Sequence, residues 1–222
     1  MKIKAVILDS SVLFNVPTKE LKNAFKEVIK YHIPYNKAIK DYKTAFRKLQ
    51  KGELSKDEFY KQAFKKAPAK SMKKIIKQHD IKRDELITLE PGVKAVINSL
   101  IKEYKLGLIS NMPKNWFLKD AKRLGINLKS FNNMVFGSEV GVLKPNVKLY
   151  NKMIGSLKEE PERCVYVTND EYEVPGARKA GMNVVTINND KGDLTINSIK
   201  ELITLFSNID KTPKQVHEVD VP

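Results

Sequence analysis

Five short apolar runs, separated by helix-length amphipathic segments, constrain this chain more than any other feature. They are Ile3–Leu8, "LGLIS" at 106–110, "NMVFGS" at 133–138, "CVYVT" at 164–168 and "NVVTI" at 183–187. Each is five or six residues long and lacks regular polar alternation, so each reads as a strand covered on both faces. "NWFLKDAKRLGI", "VKLYNKMIGSL" and "PGARKAG" fall between them with helical spacing. "EPGVKAVINSLIKEY", opened by Pro91, and "INSIKELITLF" at 196–206 read as further helices. Strands alternating with helices predict a parallel sheet with helices on both faces.

The alternation is interrupted after the first strand. "TKELKNAFKEVIKYH" sets Leu21, Phe25, Val28 and Ile29 on one face, with Thr18 as the expected N-cap. "AIKDYKTAFRKL" does the same with Ile39, Tyr42, Phe46 and Leu49. Ser55 followed three residues on by Glu58 is a capping-box signature. A fourth helix is expected over roughly Ser71–His79. The predicted organisation is an α/β core at 1–14 and 89–206, a helical insert at 15–88 and a loosely ordered tail at 207–222.

Charge follows this division. The chain carries a net +15, and residues 15–88 alone carry +11. Such asymmetry favours anionic partners, and a small anionic substrate is the expectation. The lysines lie at regular helical spacing without arginine clusters or interleaved aromatics, which argues against nucleic acid. No apolar run approaches a membrane span, no signal peptide is legible, and the single cysteine, Cys164, has no internal partner. A cytoplasmic protein is expected. His32, His79 and His217 are scattered without metal-type spacing and read as surface residues.

Parallel sheets bind ligands outside the carboxyl ends of their strands. The residues there are Asp9, Ser110 and Asn111, the loop carrying Lys144, and Thr168 to Glu173. An aspartate ending a buried strand needs a partner, and a lysine facing it would satisfy both charges.

With these blocks in order, the chain resembles the haloacid dehalogenase-like (HAD) hydrolase superfamily from Ile3 to about Phe206. The resemblance rests on Asp9 ending the first strand, the helical insert, "EPGVKAVINSL…YKLGLISN", "VGVLKP" and "VYVTNDEYEVPGARKAGM". It implies a Rossmann-like core with an inserted α-helical cap. It also implies a hydrolase in which Asp9 is the nucleophile of an aspartyl-enzyme intermediate. Ser110 matches a hydroxyl that binds the substrate's anionic group, and Lys144 a lysine that offsets charge. Ser11, Asn111, Tyr150 and Thr168 are then candidate substrate-binding residues, although a packing role in the core suits Tyr150 better. A cap arginine, Arg47, is a weaker candidate for a substrate carboxylate. Asp9, Asp170 and Glu173 are the expected ligands if Mg²⁺ is used, and the dehalogenase-like branch would use none.

The departures are as informative. Ser11 stands where HAD phosphatases carry the acid that protonates the leaving group. Val12 and Leu13 replace a glycine and a threonine, and Thr168 stands at an expected aspartate. Without that acid, a halide or another stable anion is the leaving group the chemistry favours. The expected function is a dehalogenase-like or phosphatase-like hydrolase. The alternative is a catalytically degenerate HAD-fold binding protein.

Overall fold

The computed structural model describes residues 2–209. The chain enters through strand β1 (Ala5–Asp9) and a single turn, Ser10–Val12. A short strand β2 (Phe14–Asn15) then leads into helices α1 (Thr18–Ile29), α2 (Tyr35–Gln50), α3 (Lys56–Ala63) and α4 (Ala69–Leu86). It returns through β3 (Thr88–Leu89), which pairs antiparallel with β2. The alternating part follows: α5 (Val93–Leu100), β4 (Lys105–Ser110), α6 (Lys114–Arg123), β5 (Asn133–Phe136), α7 (Gly137–Val140) and α8 (Val147–Leu157). It closes with β6 (Cys164–Thr168), α9 (Val174–Lys179), β7 (Asn183–Ile187), β8 (Leu194–Ile196) and α10 (Glu201–Ile209).

The principal sheet has the order β5-β4-β1-β6-β7-β8, with every neighbouring pair parallel. The chain winds outward from β1 to β5 and then crosses back to β6. Strand β1 therefore lies at the point where the winding reverses, where open α/β sheets form their binding crevice. Register makes this local. Asp9 pairs with Ile109 and Leu8 with Val167, which brings Asp9, Ser110 and Thr168 to one edge.

β1 is buried on both faces. Val6 and Leu8 pack on one side with Val96, Ile97 and Leu202. Ala5 and Ile7 pack on the other with Leu149, Met153 and Ala177. Each large side chain so buried contributes about 1.5–3 kcal/mol, which makes the strand a rigid platform for the residue at its end. A third cluster, around Phe25, Phe59, Phe64 and Ile75, fills the helical insert and takes in Trp116 from α6.

Several local expectations change. Thr18 is the first helical residue of α1 rather than its cap, a place taken by Pro17 without a side-chain bond. The Ser55 capping box is present, with Ser55 N–H donating to Glu58 at 2.8 Å. Helix α4 continues past His79 to Leu86 because Arg83, one turn on from His79, is buried. Ile196 ends a strand, so the last helix begins at Glu201 and runs on to Ile209. The expected tail beyond that residue lies outside the described residues. Val12 and Leu13 are core residues beside Leu8. The turn after Asp9 has no positive φ, so it does not need the glycine that Val12 replaces.

Candidate active site

Asp9 ends β1 only 2% exposed. Lys144 Nζ donates to Asp9 Oδ1, to Glu173 at 2.8 Å and to Tyr166 Oη at 3.0 Å. The ammonium thus lies between two carboxylates. Asn111 secures the lysine's loop: its Oδ1 accepts the Lys144 backbone N–H at 2.8 Å, and its Nδ2 donates to the Lys144 carbonyl at 3.4 Å. Helix α9 closes tightly on the same loop at Gly176. A Cβ there would sit 2.2 Å from the Pro145 carbonyl oxygen. Glycine is required by that approach.

Hydroxyls complete the ring. Ser11 Oγ donates to Asp9 Oδ2 and lies 2.6 Å from Asn169 Oδ1. Ser10 Oγ and Ser110 Oγ are 2.7 Å apart, and Ser110 Oγ accepts the Met112 N–H at 2.9 Å. Glu173 Oε2 accepts from Tyr166 Oη at 2.6 Å and from Thr168 Oγ1 at 2.9 Å.

Burial and charge set the protonation states. Burial alone would raise Asp9, but the Lys144 ammonium and hydrogen bonds from Lys144 and Ser11 hold it below the usual carboxylate range. Burial alone would lower Lys144, but the charges of Asp9 and Glu173 keep it above its ordinary value. Glu173 moves the other way. Burial and the Asp9 charge push it up to about 7 against the pull of Lys144. One cation thus serves two carboxylates unequally, and Asp9 keeps the charge.

A cavity of about 820 Å³ opens above this cluster, between the sheet edge and the helical insert. Asp9, Ser11, Asn111, Lys144, Asn169 and Asp170 line its floor. Phe25, Tyr42, Phe46 and Trp116 form apolar wall, with Lys22, Lys43, Lys82 and Arg83 also on the lining. The site therefore offers a polar floor, carrying the Asp9–Lys144 pair, beneath an aromatic chamber that cationic side chains also line.

The sequence-predicted residues divide into groups. Asp9, Ser11, Asn111, Lys144, Asp170 and Glu173 all reach the cavity. Ser110 lies under the floor, bonded to Ser10. Thr168 and Tyr150, expected to contact substrate, are fully buried and lie outside the cavity lining. Thr168 supports Glu173 from below, and Tyr150 Oη donates to the Glu173 carbonyl at 3.1 Å.

The three carboxylates expected to hold Mg²⁺ do not converge. Both Glu173 oxygens face Lys144, and Oε2 also takes Tyr166 and Thr168. Asp170 Oδ1 accepts the Tyr172 N–H at 3.0 Å. Among the described residues, no three His, Cys, Asp or Glu side chains are grouped to hold a metal ion.

Sequence reasoning missed four participants. Asn169 occupies the mouth beside Ser11, where Thr168 was expected. Tyr166 was hidden in an apolar strand run, although a buried tyrosine hydroxyl needs a partner. His79 is buried, not superficial, and it lines the cavity. Arg83, not Arg47, is the cavity arginine. It pairs with the fully buried Asp120 and stacks 4.5 Å over the Trp116 ring. The available signal was spacing: Ile75, His79 and Arg83 recur every four residues on the buried side of α4.

The sheet order and the carboxylate–lysine pair define an α/β protein with a Rossmann-like core whose candidate site lies at the carboxyl ends of its strands. The chain belongs to the haloacid dehalogenase-like hydrolase family, whose sequence model matches residues 18–187. It is 33% identical over 119 residues to a glyceraldehyde 3-phosphate phosphatase of Methanothermobacter thermautotrophicus, covering 52% of this chain and 51% of that protein. The chain spans about half the length of the curated relatives it matches. In fold it is similar to a 2-haloacid dehalogenase from Pseudomonas syringae pv. Tomato DC3000. That match has a TM-score of 0.70 at 15% identity and covers 93% of this chain and 99% of that one. It is also similar to the HAD-hydrolase YfnB from Bacillus subtilis, crystallised with magnesium. Here the TM-score is 0.68 at 14% identity, with 93% and 100% covered. Among the described residues, no helix is long and apolar enough to cross a membrane.

Proposed function

We propose that the chain hydrolyses a small phosphorylated compound through Asp9, with helices α1–α4 as a cap over the site. The observation that carries this reading is the buried Lys144–Asp9 pair facing a cavity whose lining also carries Lys22, Lys43, Lys82 and Arg83. Lys144 and the Ser11 hydroxyl keep Asp9 ionised, as a nucleophile requires. Asp9 attacks phosphorus, an aspartyl oxygen–phosphorus bond forms, and the bond to the leaving group breaks. Water then cleaves the aspartyl phosphate, releasing phosphate and restoring Asp9. Lys144 offsets the charge carried by the transferring group. The named activity of the phosphatase relative supports phosphorus over carbon as the centre attacked.

Ser11 limits the substrate. A hydroxyl is no useful acid at neutral pH, so the leaving group must depart as a stable anion. Acyl and aryl phosphates meet that condition, and the aromatic wall suits an apolar body.

A second reading, binding without turnover, is favoured by one observation. Both Asp9 oxygens are already engaged, Oδ1 by Lys144 and Oδ2 by Ser11. Hydrolysis of acetyl phosphate, p-nitrophenyl phosphate and a 2-haloacid by wild type and Asp9→Asn, with Mg²⁺ and with EDTA, separates the two. Turnover of a phosphate that disappears in Asp9→Asn supports the enzyme. Identical background rates in both proteins would leave the binding reading.

A further inference from the structure

A hydrogen-bonded chain runs from the cavity wall to the outside of the helical insert. Tyr42 Oη lies 3.0 Å from His79 Nε2, and Tyr60 Oη lies 3.3 Å from His79 Nδ1. Tyr60 Oη donates to Asp80 Oδ1, and Lys56 Nζ donates to Asp80 Oδ2 at 2.9 Å. Tyr42 and His79 both line the cavity, whereas Asp80 is a quarter exposed.

Counting protons orients every link. Asp80 can only accept here, because the hydrogen bonds from Tyr60 and Lys56 and the Lys56 charge outweigh its burial and hold it ionised. Tyr60 gives its one proton to Asp80, so its oxygen can only accept from His79. The Nδ1 atom of His79 must then carry the imidazole proton, and the nearby Asp80 carboxylate, 3.7 Å away, favours the same tautomer. In the neutral ring Nε2 is left as an acceptor, and Tyr42 must donate to it. The phenol proton is consumed inside the wall. What Tyr42 has left to offer is a lone pair.

We propose that Tyr42 Oη is a hydrogen-bond acceptor for the far end of the ligand, selecting anions that carry a hydroxyl or amine donor remote from the phosphoryl group. This rests on the phosphoryl-binding reading of the Asp9 floor. Aromatic rings flank Tyr42: Phe25 and Phe46 have ring centroids 4.7 Å and 6.0 Å from it. A ligand donor that meets Tyr42 between these rings is satisfied there, and a ligand without one leaves the lone pair unmet.

Non-hydrolysable phosphonates test this without any turnover. ω-Hydroxyalkyl phosphonates from propyl to octyl are compared with ω-methoxyalkyl phosphonates of equal length by calorimetry. The measurement is made at about pH 8 for every compound and variant. At one or two adjacent lengths the hydroxyl compound binds wild type about tenfold tighter. Tyr42→Phe, which keeps the ring and its packing, abolishes the difference. In His79→Leu the Tyr42 proton is freed, and the methoxy compound gains affinity. The ¹⁵N shifts of His79 report a protonated Nδ1. Equal affinities at every length, a preference that survives Tyr42→Phe, or a protonated Nε2 would each overturn the proposal while leaving the hydrolase reading intact. Failure of every phosphonate to bind would remove both.

Discussion

Lys144 Nζ donates to a carboxylate oxygen of Asp9, 135 residues away in sequence, with the two side chains 1% and 3% exposed. Neither charge is tolerable there without the other. The same ammonium also holds Glu173, so one cation serves two buried carboxylates.

Removing the lysine isolates two buried carboxylates. Lys144→Met is expected to lose about 3–5 kcal/mol of stability at neutral pH, the usual cost of breaking a buried pair from one side. The loss shrinks in acid, where Asp9 and Glu173 take up protons and no longer need the cation. Urea unfolding of both proteins across the acid range measures this. A loss that does not vary with pH would show that lysine packing, not charge, dominates.

Glu173 gives the site a pH signature of its own. Its ordinary value of 4.5 is raised to about 7 in the folded chain. The native state therefore binds more protons than the unfolded state across that window, and stability falls as pH rises through it. Asp9 has the opposite sign: its contribution is present above its unfolded value and lost as pH falls through its lowered folded one. Glu173→Gln removes the titration and keeps one acceptor oxygen for Tyr166 and Thr168. Relative to wild type, this variant should gain stability as pH rises from 4.5 to 7, on the order of 2 kcal/mol, and then level off. A pH-independent difference would argue against a raised Glu173.

The sequence carried much of this, unevenly. Asp9 was legible because a carboxylate ending a buried strand needs a partner, whereas Lys144, alone a surface lysine, was legible only through the family resemblance of its "VGVLKP" block. The alternating strands and helices were legible as Asp9 was, since an apolar run that short must be covered on both sides. Asp170 and Glu173 looked like metal ligands because composition shows charge but not direction. In the fold, Glu173 turns inward to Lys144. Tyr166 was invisible because a tyrosine in an apolar strand reads as packing until its hydroxyl is located. His79 and Arg83 were obscured by a general bias, that polar residues on a basic helix face water. Their own spacing with Ile75 contradicted it.

Ser11 is the residue whose replacement speaks most directly to the reaction. If the missing acid limits the substrate, wild-type rates on a series of phosphate esters fall steeply as the leaving alcohol becomes more basic. Ser11→Asp then raises turnover of alkyl phosphates by about 100-fold or more, the scale of general acid catalysis. Turnover of p-nitrophenyl phosphate changes little, because its leaving group needs no proton. A kcat series on both proteins supplies the slopes. Parallel slopes would show that leaving-group protonation is not what Ser11 forgoes.

The helical insert is joined to the sheet by a second buried pair. Arg83 on α4 donates through two nitrogens to Asp120 on α6, and Arg123 reaches the same carboxylate at 3.3 Å. Asp120 is fully buried, so Asp120→Ala leaves the Arg83 guanidinium without its carboxylate inside the interface. The expected cost is about 3–5 kcal/mol. Combining Asp120→Leu with Arg83→Met removes both charges and keeps apolar volume against Trp116. The double variant should therefore be closer to wild type than Asp120→Ala, with a coupling energy of about 1–3 kcal/mol in the cycle. Urea midpoints for the singles and the double decide it. Additive losses would mean that Arg83 is held by its stacking on Trp116 rather than by Asp120.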